Sequence, residues 1–220
     1  RSRVIGTIFF VQVVIATACV TNIAFLLSER LSTLTYATGL QENGLGVIEL
    51  EYLGATALNP GATIRSDLDV LRRVPGVRDA IATESLPLGQ HSWSAGFTNR
   101  PLTDGSMTGI VEAEPAVYPV SAPAARALGL SIAQGRDLSL SSFVPMQEDS
   151  GYAGLYHASE ALVSQALADR LHPGRSAVGQ FICADGTHPI QIVGVASTLT
   201  RPTLKASGDN DMAVILPLVP

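Results

Sequence analysis

The sequence predicts one N-terminal membrane-crossing helix followed by an outer domain of the α/β class, α+β-like, with two βαβ-like units and a small strand-rich lobe. Three observations predict it. Residues 4–28 carry no charged side chain. Two later stretches repeat the order strand, helix, Pro-Gly, strand. The segment between them is rich in Gly, Ser, Thr and Asn, which suits short strands and turns.

The helix is the source of the high mean hydropathy of +0.29. The span, residues 4–27, is 24 residues long, and at ~1.5 Å per residue it crosses a ~30 Å hydrocarbon core with some tilt. Gln12 and Asn22 interrupt it, and amides within a span tend to hydrogen-bond to a neighbouring helix. Arg1 and Arg3 precede the span, whereas Glu29 and Arg30 follow it and cancel. The positive-inside rule therefore places the N-terminus in the cytoplasm and residues 32–220 outside. Ala16-Thr17-Ala18 resembles a signal-peptidase site and Ala18-Cys19 the end of a lipoprotein signal, but residues 23–27 stay apolar beyond either cut. The chain begins with Arg, so it is expected to be an excerpt of a longer protein.

Without residues 1–31 there remain 11 basic and 18 acidic side chains, a formal charge of −7. Lys205 and scattered arginines form no basic stripe, which argues against a nucleic-acid partner. Roughly 190 residues suffice for a core without a disulfide or metal. Cys19 lies in the span and Cys183 is alone in the outer part, so no bridge forms within that part.

The first α/β stretch opens with a half-buried strand at 47–52, where Ile48, Leu50 and Tyr52 alternate with Glu49 and Glu51. An amphipathic helix follows at 63–74, with Ile64, Leu68, Leu71 and Val74 opposite Arg65, Asp67, Asp69, Arg72 and Arg73. Pro75-Gly76 ends it and 77–86 reads as a return strand. Around Trp93 and Phe97, residues 86–120 are expected to form a small strand-rich lobe inserted between the two units, with 110–120 as a strand. Ser121 is a candidate cap for a short helix ending at Gly129, Gly135-Arg136-Asp137 a turn, and 139–156 a surface loop. The second unit has strand 161–163, helix 164–171, Pro173-Gly174 and strand 190–195. The last is nearly all apolar, as in a strand covered on both faces. Each unit reads as βαβ-like, with Leu68, Leu71, Leu167 and Leu171 covering a shared sheet.

Candidate chemistry is sparse. His91, His157, His172 and His188 fall on different loops without HxH or HExxH spacing, so they are expected to be surface histidines. Ser85 and Ser94, near Glu84 and His91, lack a G-x-S-x-G elbow, and no glycine frame precedes Lys205 as a Walker loop requires. No catalytic, cofactor-binding or metal-binding residue is assigned.

The order of motifs is more informative than any one of them. LRRVPGVRDAIATESLPL (71–88), VYPVSAPAARALGLSIAQGRDLS (117–139), ALVSQALADRLHPGRSAVGQFI (161–182), PIQIVGVAS (189–197) and AVILPL (213–218) form one ordered series. It resembles the extracytoplasmic core domain of MacB-like and FtsX-like ABC transporter permeases, together with the first transmembrane helix. The resemblance implies a bacterial inner-membrane permease subunit, paired as a homodimer or heterodimer, with three more helices after the outer domain and a separate cytoplasmic ATPase. It implies a porter-like part made of the two units beside the strand-rich lobe, and no catalytic residue. A periplasmic adaptor or substrate is a further implied partner. Two rival readings stay open, a single-span sensor or binding module and a membrane-anchored hydrolase.

Overall fold

The structure, a computed structural model, describes residues 2–51, 60–89, 91–102, 108–145, 152–184, 186–205 and 208–219. The chain divides into two compact units, Arg1–Ala37 and Thr38–Pro220. The first is a single helix, α1 (Ser2–Leu34), whose stretch Val4–Ser28 has a mean hydropathy of 2.2. Its large apolar side chains, Phe9, Phe10 and Phe25 among them, are exposed within this chain. Thr17 and Thr21 donate their hydroxyls to the carbonyls of Val13 and Thr17, both at 2.8 Å, so these two polar groups are satisfied inside the helix.

In the second unit, α2 (Pro60–Arg72) precedes the short strands β1 (Phe97–Thr98), β2 (Glu112–Ala113) and β3 (Ala116–Val120). Then come α3 (Ala124–Leu128), β4 (Ile132–Gly135) and β5 (Val144–Pro145). The chain closes with β6 (Glu160–Ser164), α4 (Gln165–Leu171), β7 (Phe181–Ala184), β8 (His188–Ala196) and β9 (Ala213–Val219). The strands form a mixed sheet in the order β2-β1-β7-β8-β6-β9-β3, with β4 also pairing β8 and β5 pairing β9. β6 runs parallel to β8 and antiparallel to β9, whereas β3 runs parallel to β9.

The period of two in the central strands builds a core on each face. Ala161, Val163, Ile192, Val214 and Leu216 face one core, closed by Leu167, Ala168 and Leu171 of α4. Leu162, Val193, Ala213 and Ile215 face the other, closed by Ala124, Ala125 and Leu128 of α3. Ser164, wholly buried, joins strand to helix: its Oγ accepts from the amides of Leu167, capping α4, and of Ala213 on β9. The expected second unit is therefore present, with Ser164 as the cap and β7 inserted before β8 as a hairpin partner.

The first unit differs from expectation. Residues 47–51 are in no ladder, and Val47, Ile48 and Leu50 are 52–66% exposed; Tyr52 lies outside the described residues. The edge of β3 is bridged by Thr83 (to Val120) and Ser94 (to Ala116). The return strand expected at 77–86 is reduced to the Thr83 bridge. Side chains hold that segment in place of a ladder: Arg72 donates to the carbonyls of Ala80 and Ala122, and Arg126 grips Asp79 bidentately at 2.8 and 3.1 Å. Ser121 does not cap α3, which follows Pro123 without a side-chain cap. It exchanges hydrogen bonds with Ala82 through its amide and its Oγ. Leu68 of α2 is buried and Leu71 half-buried, and neither joins the core beneath α4. The duplication thus does not extend to a second strand-helix-strand unit among the described residues.

Two other segments are more ordered than expected. The strand-rich segment continues the main sheet, since β1 pairs β2 on one side and β7 on the other, and Phe97 is fully buried. The loop expected over 139–156 holds 3-10 turns at Leu140–Ser142 and Tyr152–His157, and β5 runs parallel to β9.

Leu171 is 0% exposed, so Leu171→Ala should cost on the order of 2 to 5 kcal/mol, and Leu71→Ala markedly less. Equilibrium urea unfolding of the two variants is the check. Equal losses would mean that α2 packs as deeply as α4.

Candidate functional site

The chain leaving α1 becomes part of the second compact unit at Thr38, four residues after Leu34. The Thr38 carbonyl accepts from the Thr200 amide at 3.1 Å, and the Gln41 amide donates to the Leu128 carbonyl at 3.2 Å. Between them Leu40 packs against the core that α3 closes. Gly39 makes this seat: it has φ +86, and a Cβ there would overlap the Thr198 carbonyl. Only a residue without a side chain enters that space in that conformation. The result is a backbone clamp between 38–41 and two separate places in the fold, the end of α3 and the loop after β8.

A second fixed point lies at the start of the central strand. Arg136, just past β4, holds Glu160 with Nη atoms at 2.6 and 3.3 Å, and Ser139 donates its amide and hydroxyl to the same carboxylate, each at 2.9 Å. The Glu160 side chain is 13% exposed. The hydrogen bonds from Arg136, with those from Ser139, hold its pKa down at about 2. Elsewhere the hydroxyl of Ser94 and the ammonium of Lys205, at 2.9 and 3.2 Å, hold the more exposed Glu114 below the usual carboxylate range.

The residues weighed for chemistry are dispersed, with one exception. Ser94 is bonded to Glu114, Ser85 is buried with its Oγ unpartnered, Glu84 is exposed, and exposed His91 lies 3.7 Å from Glu49. Among the described residues no hydrogen bond joins either serine to His91. Cys19 is exposed in α1 and Cys183 is buried in the core. His172 corrects the expectation of surface histidines: it is 1% exposed. Arg175 can only donate, so its Nη2 gives a hydrogen bond to Nδ1 at 3.2 Å, and Nε2 donates to the Phe181 carbonyl at 3.1 Å. Burial lowers its pKa and favours the neutral ring. The exception is His157 and His188, whose ring centroids are 4.1 Å apart; 31 residues separate them in sequence and no short motif marks the pair. Among the described residues no three His, Cys, Asp or Glu side chains gather as a metal cluster. A cleft of about 460 Å³, lined by both apolar and polar groups, lies between Ser94, Ala95, Thr98, Leu102, Glu112 and Tyr156.

Glu160 supplies a pH test. Its pKa is lowered on folding, so its contribution is complete above the ordinary carboxylate range and is lost as pH falls from about 4.5 toward about 2. Glu160→Gln should lower stability by about 1 to 3 kcal/mol at pH 7 and by almost nothing near pH 2. Urea midpoints at both pH values check this, and a loss of equal size at both would assign the effect to packing.

No protein-family model matches the sequence, and no curated protein does. Among solved structures, it is similar to the extracellular domain of the ABC-type transporter YknZ from Gram-positive bacteria, at 15% identity and a TM-score of 0.43, over 74% of this chain and 66% of that one. It is also similar to the periplasmic region of MacB from Actinobacillus actinomycetemcomitans, at 14% identity and a TM-score of 0.40, over 70% of this chain and 54% of that one. The chain thus spans less than two thirds of the length of each.

Proposed function

We propose that this chain is part of a permease subunit of an ABC transporter of the MacB/FtsX type. The observation that carries the reading is the direct passage of an apolar helix, Val4–Ser28, into an α/β domain that grips the chain again at Thr38. The ordered motifs described above give the reading its family. In it, residues 1–31 hold the membrane helix in a bacterial inner membrane with the N-terminus in the cytoplasm, and residues 32–220 form the periplasmic core domain, with the strand-rich segment 86–120 as its small lobe. A cytoplasmic ATPase subunit binds and hydrolyses ATP, and this chain carries no catalytic site of its own. Two permeases pair, and a periplasmic adaptor or substrate meets the outer domain.

The physical content is transmission. A helix that changes its packing in the membrane moves the outer domain only if the chain between them is stiff. Hydrogen bonds at Thr38 and Gln41 and the seat of Gly39 leave three residues, 35–37, between the end of α1 and the clamp. A lone anchor has no need of so short a connection.

Two measurements test this. A reporter fused after Pro220 should be active outside the cytoplasm; a cytoplasmic signal overturns the orientation and the permease reading with it. In the full-length protein with its ATPase, a flexible Gly-Ser insertion between Ala37 and Thr38 should abolish ATP-driven function in cells while the outer domain keeps its circular dichroism. Full function with the insertion present would mean that the helix merely tethers the domain.

A further inference from the structure

Two of the four histidines, far apart in sequence, are brought face to face by the fold. His157 ends the 3-10 turn Tyr152–His157, and its position is held from both sides. Tyr156 before it packs at 6.0 Å from Trp93 and edge-on at 6.4 Å from Phe97. Ala158 after it is buried in the core, and the Ser159 carbonyl accepts from the Gln191 amide at 3.1 Å. His188 opens β8, paired across the ladder with Ala184 of β7, and Ile190 two residues on is fully buried. Both Cα atoms therefore sit on fixed backbone while the rings reach the surface, His157 exposed and His188 half-exposed. The centroids are 4.1 Å apart with planes at 73°.

We infer that His157 and His188 form a two-histidine binding site for a divalent transition-metal ion of the copper or zinc type. Imidazole is the commonest protein ligand for both ions. Metal–nitrogen bonds of ~2.0–2.1 Å require two imidazole nitrogens to converge on one point. Rings this close and steeply inclined reach that arrangement by turning the exposed His157 about its side-chain bonds. His188 also has the supporting contact that histidine ligands use: its Nδ1 is 2.9 Å from the Thr187 hydroxyl oxygen. With that oxygen accepting, Nδ1 carries the proton and Nε2 becomes the ligating atom. Two protein ligands leave room for water or a small anion to complete the shell, so no third side chain is required. The site is independent of the permease reading, since it uses neither α1 nor the clamp at 38–41.

The test is copper titration of the full chain in detergent, followed by equilibrium dialysis and electron paramagnetic resonance. The wild type should bind one equivalent of Cu²⁺ with hyperfine structure from two imidazole nitrogens, and Zn²⁺ should displace it only in large excess, because an imidazole site prefers copper. His157→Ala and His188→Ala should each weaken binding by at least about tenfold, since losing even a partner that only orients a ligand costs that much, and His91→Ala should leave it unchanged. Acidification should release the metal, because a protonated imidazole has no lone pair to give. Circular dichroism of the variants separates loss of binding from loss of fold. The inference is overturned if the wild type shows no saturable copper binding, if its spectrum shows a single nitrogen ligand, or if both single variants bind as tightly as the wild type.

Discussion

Gly194, in the second half of the longest strand, β8, sets how the second compact unit closes. A Cβ at this position would overlap the Arg136 carbonyl and lie 2.7 Å from Leu162 Cδ2. The missing side chain lets the backbone just past β4 approach β8, with which β4 pairs antiparallel along one edge, and leaves room for Leu162 in one of the two cores. Once β4 is there, Arg136 follows it into reach of Glu160, and Ser139 reaches the same carboxylate. Close backbone packing and a charge-assisted cluster are thus one arrangement, since any side chain at 194 would push Arg136 away from its partner.

The same closure organises the elements around it. α3 and β4 are consecutive, so placing β4 on β8 also sets α3 over the core of Leu162, Val193 and Ile215. The end of α3 then offers the Leu128 carbonyl to Gln41, and the loop after β8 offers the Thr200 amide to Thr38. The seat for the chain leaving the helix is built from the two structures that Gly194 brings into register. The seat draws its stiffness from the sheet, where β6 is paired on both sides and buried on both faces.

Segments with similar local patterns ended differently because of what lay beside them. Residues 47–52 and 190–195 both read as strands, yet the described part of the first, 47–51, is in no ladder and the second lies in β8. Apart from Gln191 the residues of the second stretch are apolar and buried, and they meet β6 and β7 on its edges. Residues 77–86 failed similarly: Arg72, Arg126 and Ser121 satisfied their backbone and carboxylate before a ladder was needed. A hydroxyl at 121 and a guanidinium at 126 look locally like a helix cap and a surface charge, and their partners lie 39 and 47 residues away.

What the sequence determined by itself was whatever depends on neighbours along the chain. The uncharged run before Glu29, the Ser164 junction, the stop at Pro173-Gly174, the left-handed Gly129 after α3 and the doubly covered strand at 190–195 all follow from local composition and period. What only the tertiary structure decided was the set of partners across the fold: the clamp on Thr38 and Gln41, the burial of His172, the Arg136–Glu160 cluster and the meeting of His157 with His188. Hydrophobic period and turn chemistry act over a few residues, whereas a hydrogen bond or a ring contact requires two distant backbones to be brought together, and here that follows from packing around Gly194 and β6.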